Sequence, residues 1–181
     1  NRSFTAARYL AKIDKLKRVR PGISISTDFI VGFPGETEED FEATLDLIRQ
    51  VGFDQSFSFI FSVRPGTPAA DLGEAVPHEV KQARLERLQA LVNGQALAIS
   101  RRMVGTVERV LVERTSKRSA REVSGRTANN RWINFAGEAS LIGRFVDVLV
   151  TEAMPNSLRG RWVGAVQSTP STVDAERRSV A

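Results

Sequence analysis

Hydrophobic and polar residues follow two periods along the first hundred residues, one typical of helices and one typical of strands. Apolar positions three or four residues apart predict amphipathic helices over residues 5–20, 37–52 and 77–103. The apolar run 23–31 and the alternating segment 55–62 are typical of strands. A strand, a helix and a further strand in this order predict a parallel β–α–β unit, and therefore an α/β fold for this part of the chain.

The run 23–31 ends in the turn Gly-Phe-Pro-Gly, directly after Val31. Parallel strands in α/β sheets and barrels carry their ligand sites at their carboxyl ends, so we expect a ligand at this turn. Successive residues of a strand point to opposite faces, which places Asp28 and Ile30 on one face and Phe29 and Val31 on the other. A carboxylate and a branched apolar side chain are therefore predicted to point together near the end of this strand.

The segment 55–62 carries phenylalanines at three alternate positions, Phe57, Phe59 and Phe61, with serines and Ile60 between them. An apolar face with three aromatic rings is typical of a sheet that is covered by helices. We expect the phenylalanine face to pack beneath a helix and the serine face to look into a polar interior.

The sequence Arg-Pro-Gly-Thr-Pro at residues 64–68 predicts a rigid loop after that strand, because its two prolines fix the backbone. A loop at the carboxyl end of a strand would bring Arg64 and Thr67 to the place where an anion or a substrate binds. A plain turn with a surface arginine is an equally good interpretation of the same residues.

From residue 105 onward, short strand-like runs alternate with turn residues. Five such runs predict a small closed all-β barrel of the OB-like kind. Its arginines are interleaved with Trp132, Phe135 and Trp162, and basic plus aromatic side chains on a small barrel are typical of single-stranded RNA binding. The two tryptophans are equally compatible with a place in the core. The predicted strands cover residues 107–114, 121–127, 131–136, 143–151 and 158–166.

Composition narrows the functional classes. The 181 residues include no cysteine, which excludes a disulfide framework, a thiolate metal site and a cysteine nucleophile within this sequence. The single histidine, His78, argues against a self-contained histidine metal site or a Ser-His-Asp triad. No apolar run is long enough to cross a membrane, and we expect a cytoplasmic protein. Residues 99–181 carry fourteen basic and eight acidic side chains, and all the basic ones except Lys117 are arginine. This excess favours a polyanion such as RNA, although a solvated arginine-rich surface gives the same count.

Four motifs resemble the carboxy-terminal part of the methylthiotransferases, a radical-SAM family with a TRAM domain that modifies tRNA. They are Ser-Thr-Asp-Phe-Ile-Val-Gly-Phe-Pro-Gly-Glu-Thr at 26–37, Arg-Pro-Gly-Thr-Pro-Ala-Ala at 64–70, Gly-Arg-Thr-Ala-Asn-Asn at 125–130 and Pro-Asn-Ser-Leu-Arg-Gly at 155–160. The third motif, together with Asn134 and Phe135, is similar to the MiaB branch. Enzymes of that branch convert isopentenyladenosine beside the tRNA anticodon to its 2-methylthio derivative.

The resemblance implies a division into domains and a set of binding residues. Residues 1–98 would be the end of a radical-SAM partial (β/α) barrel with the start of a connecting helix, 99–168 a five-stranded TRAM barrel that binds RNA, and 169–181, by their composition, a disordered tail. Asp28, Ile30, Gly32 and Pro34 would contact S-adenosylmethionine. The expected substrate-binding residues are Arg64, Thr67, Arg126, Asn130, Arg131, Trp132 and Arg159.

The family's chemistry also needs two 4Fe-4S clusters, held by a Cys-x-x-x-Cys-x-x-Cys loop and by three further cysteines. Since this sequence has no cysteine, we expect no catalytic residue and no metal ligand in it, and no activity from it alone. Phe-Ser-Val at residues 61–63 also departs from the family's usual Tyr-Ser-Pro. The expected partners are a tRNA anticodon stem-loop and an amino-terminal part of the enzyme, with no membrane. Two alternatives stay open: a non-catalytic RNA-binding module, and the branch that modifies a ribosomal protein.

Overall fold

The structure is a computed structural model that describes residues 5–72, 76–117, 119 and 121–163. These residues divide into two compact units between Ile99 and Ser100. The predicted tail at 169–181 and the last residues of the fifth predicted barrel strand lie outside the described residues.

The first unit alternates helices and strands, as its hydrophobic pattern predicts. The second of its helices begins with a capping box, in which the Thr37 hydroxyl accepts from the Asp40 N–H at 3.1 Å and the Asp40 carboxylate accepts from the Thr37 N–H at 3.1 Å. Gly52 ends that helix in the left-handed conformation, with φ of 66°. The elements are α1 (Ala6–Val19), β1 (Ser26–Val31), α2 (Glu38–Val51), β2 (Gln55–Ile60) and α3 (His78–Arg102).

β1 and β2 pair in parallel, with Asp28 beside Phe57 and Ile30 beside Phe59. One face of this two-stranded sheet packs against the helices, because Phe29 and Val31 turn toward them. The core of the unit is formed by the apolar stripe of α2 with Val31, Phe53, Leu88 and Val92.

The prediction that the phenylalanine face of residues 55–62 packs beneath a helix is wrong for Phe57 and Phe59. Phe57 and Phe59 are 60% and 54% exposed, whereas Ser56, Ser58 and Ile60 occupy the less exposed positions of the strand. The reason is the register with β1: Phe57 and Phe59 stand beside Asp28 and Ile30, so they share the face that points away from the helices.

The strand bounds differ slightly from those predicted. β1 begins at Ser26 rather than at residue 23, because Ile23 still belongs to the turn after α1 and its N–H donates to the Arg20 carbonyl at 3.1 Å. β2 ends at Ile60 rather than at residue 62. The next residue, Phe61, still donates its N–H to the Val31 carbonyl at 2.8 Å.

The second unit is a closed five-stranded barrel, which confirms the predicted architecture. Its strands are β3 (Val107–Thr115), β4 (Glu122–Thr127), β5 (Trp132–Ala136), β6 (Phe145–Ala153) and β7 (Leu158–Trp162). They follow one another in the order β3-β4-β5-β7-β6, and all neighbours are antiparallel except β5 and β7. Alternate residues point inward and are buried, among them Val112, Ile133 and Phe135. Gly125 lets β3 and β4 approach closely, since a Cβ there would lie 2.4 Å from the Leu111 carbonyl oxygen.

Candidate nucleic-acid interface

The outer face of β3, β4 and β5 carries a cluster of two arginines around a tryptophan. Arg126 on β4 stands directly opposite Trp132 on β5, and both point outward because their neighbours Gly125 and Ile133 point into the barrel. The Cζ atoms of Arg114 and Arg126 lie 4.1 and 4.2 Å from the centroid of the Trp132 ring. Both distances are well within cation–π range. We call these three residues the Arg–Trp–Arg cluster.

Asn130 positions one of these arginines. It lies in the turn between β4 and β5 with φ of 63°, a left-handed conformation that asparagine tolerates better than most residues. Its Oδ1 accepts a hydrogen bond of 2.6 Å from Arg126 Nη1. Arg126 Nε also lies 3.5 Å from Glu113. The guanidinium of Arg126 is therefore held from two sides while it contacts Trp132.

A groove of about 210 Å³ opens beside the cluster. Among its lining residues, Ser124 Oγ donates to Asn134 Oδ1 at 2.5 Å, which leaves the amide NH2 of Asn134 as the group that a ligand can meet. Arg159 on β7 stands beside Asn134 and donates through both Nη atoms to one oxygen of Glu122, at 3.1 Å each. The groove thus combines an aromatic ring, an amide and several cations in one depression.

Three of the five barrel residues that the sequence predicts as substrate-binding lie on this surface: Arg126, Trp132 and Arg159. Asn130 supports Arg126 from the turn. Arg131 lies elsewhere, because its Nη1 donates to Ser100 Oγ at 2.8 Å, at the end of α3. The structure therefore separates Arg131 from the groove.

Among the groove residues that are not predicted site residues are Arg114, Lys117, Ser124 and Asn134. Strand alternation could have found two of them, since Ser124 and Asn134 have the same parity as Arg126 and Trp132 on their strands and stand opposite each other. Arg114 could not be placed from the sequence, because an irregularity between Val112 and Arg114 shifts its register against β4.

A second candidate site lies in the first unit, at the end of β1. Asp28 and Ile30 share the exposed face of the strand, as predicted. Gly32 follows with φ of 72°, and its N–H donates to the Glu36 carboxylate at 2.7 Å, which closes the turn that contains Pro34.

The predicted loop of Arg64 and Thr67 is held by internal hydrogen bonds. The Thr67 hydroxyl and the Thr67 N–H both donate to the Arg64 carbonyl, at 2.8 and 3.3 Å, and the Arg64 side chain is exposed. The Thr67 hydroxyl therefore offers a ligand only its acceptor capacity.

Two properties bear on the kind of site that these residues can form. Across the ranges that the structure describes, no three acidic, histidine or cysteine side chains cluster as metal ligands would. The helices in those ranges are also too short or too polar to cross a membrane.

Comparison with known proteins identifies the barrel first. Residues 101–163, which contain all five barrel strands, match the family model of the TRAM domain. The Arg–Trp–Arg cluster and the groove thus lie within the residues that match the TRAM domain.

Longer matches extend over both units. The chain is 59% identical over 168 residues to a tRNA-2-methylthio-N(6)-dimethylallyladenosine synthase of Methylococcus capsulatus, covering 93% of this chain and 37% of that protein. A protein of the same name from Alkalilimnicola ehrlichii is 61% identical over 163 residues, covering 90% of this chain and 36% of that protein. One from Xanthomonas campestris is 62% identical over 160 residues, covering 88% of this chain and 33% of that protein. The chain spans about a third of the length of these relatives. The resemblance to MiaB-type methylthiotransferases is confirmed.

Proposed function

We propose that the barrel binds RNA and that the chain is part of an enzyme that adds a methylthio group to N6-dimethylallyladenosine in tRNA. The observation that carries this proposal is the identity of about 60% to synthases of that name, over nearly all of the chain. The barrel adds independent support, since its outer face joins cations to an aromatic ring, the combination that binds phosphates and stacks bases. A tRNA-modifying enzyme of this kind would work in the cytoplasm.

The end of β1 fits the cofactor that the family implies. Asp28 offers an exposed carboxylate that can accept hydrogen bonds from ribose hydroxyls, and Ile30, which is 59% exposed, offers an apolar surface for an adenine ring. Gly32 and Pro34 shape the turn beside them. S-adenosylmethionine bound here would supply the methyl group. The iron–sulfur clusters do not fit this chain, because it has no cysteine, so these residues hold no cluster.

The exposed Arg64 side chain and Thr67 form the proposed substrate-side loop, with Arg64 as the cation that a tRNA phosphate would meet. The relatives' names favour tRNA as the partner over a ribosomal protein. They also favour an enzyme over a module that only binds RNA.

The test of the RNA proposal is binding of the 181-residue chain to an anticodon stem-loop with an adenosine-rich loop, measured across a salt series against an unrelated hairpin. Arginine contacts to phosphates predict an affinity that falls steeply with salt, with a slope of about 0.7–0.9 per phosphate contact on a double-logarithmic plot. Preference for the anticodon stem-loop supports the tRNA assignment. Absence of binding at low salt would refute it and favour the ribosomal-protein branch.

The cofactor proposal needs the rest of an enzyme. We would fuse the amino-terminal part of the Methylococcus capsulatus protein to this chain and measure the affinity of the chimera for S-adenosylmethionine by calorimetry. Asp28→Ala should weaken binding, whereas Asp46→Ala, which removes an exposed carboxylate on α2, should not. Equal affinities of the two variants would count against the assignment.

A further inference from the structure

We propose that the groove beside Trp132 binds a single unpaired RNA nucleotide, with its base stacked on the Arg–Trp–Arg cluster and its acceptor edge toward Asn134. This proposal rests on the proposed RNA-binding function of the barrel. It goes further in choosing one face of the barrel and one form of RNA.

The size and shape of the groove favour one nucleotide over a helix. A depression of about 210 Å³ accommodates a nucleobase and part of its ribose, but not a stack of base pairs. Proteins that read RNA sequence usually do so on bases that have left the stack, in loops and bulges. A groove of these dimensions is therefore suited to a loop base.

Arg114 and Trp132, the two cluster residues that line the groove, supply a stacking surface. Arg114 and Arg126 lie against the Trp132 ring at cation–π distance, and Arg126 is fixed further by Asn130. Bases stack on arginine guanidinium planes as well as on aromatic rings. Because the cluster is held before any ligand arrives, little side-chain entropy remains to be lost on binding.

The charges of the groove favour a phosphate next to the base. Arg114 and Lys117 form no ion pair with any residue that the structure describes, and both are exposed. Glu122, the one carboxylate of the groove wall, is already engaged by Arg159. The groove therefore keeps an excess of positive charge after its internal ion pair is counted.

Asn134 supplies the hydrogen-bond donor that a base edge needs. Its Oδ1 accepts from Ser124, which fixes the amide so that the NH2 group remains to donate. Ring nitrogens and carbonyl oxygens of bases accept such bonds. An acidic peptide would use the cations of the groove but neither the stacking surface nor this donor, so RNA is the better match.

The test uses the fluorescence of Trp132 in the full 181-residue chain. The sequence has two tryptophans, so Trp162→Phe leaves Trp132 as the sole reporter, and Trp162 is 38% exposed and readily replaced. This protein is titrated with an RNA hairpin with an unpaired loop and with a blunt-ended RNA duplex of the same length. We expect the hairpin to quench Trp132 and to bind about tenfold more tightly than the duplex, because stacking of one base contributes on that order.

Three variants separate stacking from charge. Arg114→Lys keeps the charge but loses the planar guanidinium, so we expect it to reduce the quenching and weaken hairpin binding several-fold while keeping the salt slope. Asn134→Ala should weaken hairpin binding several-fold and leave duplex binding unchanged. Arg109→Lys is the matched control, because it makes the same change at a barrel arginine that lies over Phe145, away from the groove.

The outcomes distinguish this proposal from the broader one. Hairpin binding without quenching, or with equal losses in Arg109→Lys and Arg114→Lys, overturns the groove proposal and leaves RNA binding by the barrel intact. No binding of either RNA overturns both. Equal quenching by polyglutamate and by the hairpin overturns the nucleotide assignment in favour of an acidic protein partner.

Discussion

Arg84 reaches from α3 to the turn after β1, and we expect its removal to destabilise the first unit. The side chains of Arg84 and Glu36 are only 6% and 13% exposed, and Nη1 of Arg84 lies 2.7 Å from the Glu36 carboxylate. The same nitrogen donates to the Glu36 backbone carbonyl at 3.0 Å. Since the Glu36 carboxylate also accepts from the Gly32 N–H, this ion pair holds the turn that carries Pro34.

The variant Arg84→Met keeps an aliphatic side chain but leaves a nearly buried carboxylate without its cation. Loss of one partner of a buried ion pair costs about 3–5 kcal/mol. Glu36 keeps its hydrogen bond from Gly32, so we expect the lower end of that range, about 3 kcal/mol. With a urea dependence of about 1.5 kcal/mol/M, the unfolding midpoint should fall by about 2 M.

The assay is urea unfolding of the 181-residue chain followed by far-ultraviolet circular dichroism, to which α1, α2 and α3 contribute most. Tryptophan fluorescence shows whether the barrel has folded, because Trp132 and Trp162 both belong to it. Arg87→Met is the matched control, because Arg87 also lies over Phe41 but its side chain is 47% exposed. The loss of unfolding free energy in Arg87→Met should therefore be only a small part of the loss in Arg84→Met. The double variant Arg84→Met/Glu36→Gln should recover much of the loss. A midpoint shift for Arg84→Met no larger than for Arg87→Met would refute the reasoning.

Two further predictions concern packing and pH. Gly125→Ala should destabilise the barrel by about 1–3 kcal/mol, because the added Cβ would lie 2.4 Å from the Leu111 carbonyl oxygen. Thermal unfolding followed by tryptophan fluorescence measures this, and an unchanged Tm would contradict it. The hydrogen bond from Arg87 lowers the pKa of the Glu38 carboxyl. The ionised Glu38 carboxylate therefore contributes stability above its unfolded pKa of about 4.3, and this contribution is lost as the pH falls through the lower pKa of the folded state. Glu38→Gln should accordingly lower Tm at neutral pH, and the difference from the parent should shrink in acid; a constant difference would contradict the assignment.

The sequence predicted elements well where their causes are local. The capping box of Thr37 and Asp40 and the closing Gly52 are readable from neighbouring residues alone, and α2 begins and ends where they place it. The barrel strands were found because alternation of apolar residues needs no knowledge of the partner strand. These features depend on only a few consecutive residues.

The candidate site was predicted only in part, because its geometry depends on pairing between strands. Arg131 and Trp132 are adjacent in sequence, and adjacent residues of an extended chain point to opposite sides, so they could not share one surface. The structure accordingly ties Arg131 to Ser100 and leaves Trp132 with Arg126. The role of Asn130 depends on a left-handed turn that the sequence alone does not specify.

The wrong assignment of the β2 phenylalanines has a consequence for the proposed cofactor site. Alternation divides a strand into two faces but does not say which one the helices cover, and here the register places Phe57 and Phe59 beside Asp28 and Ile30. Three large apolar side chains that are more than half exposed around one carboxylate are unusual for a surface that meets only water. A ligand that covered this face would remove water from around Asp28, and a hydrogen bond to the carboxylate is stronger in such surroundings. The exposed phenylalanines therefore support the assignment of this face to a ligand with both hydroxyl groups and an apolar ring.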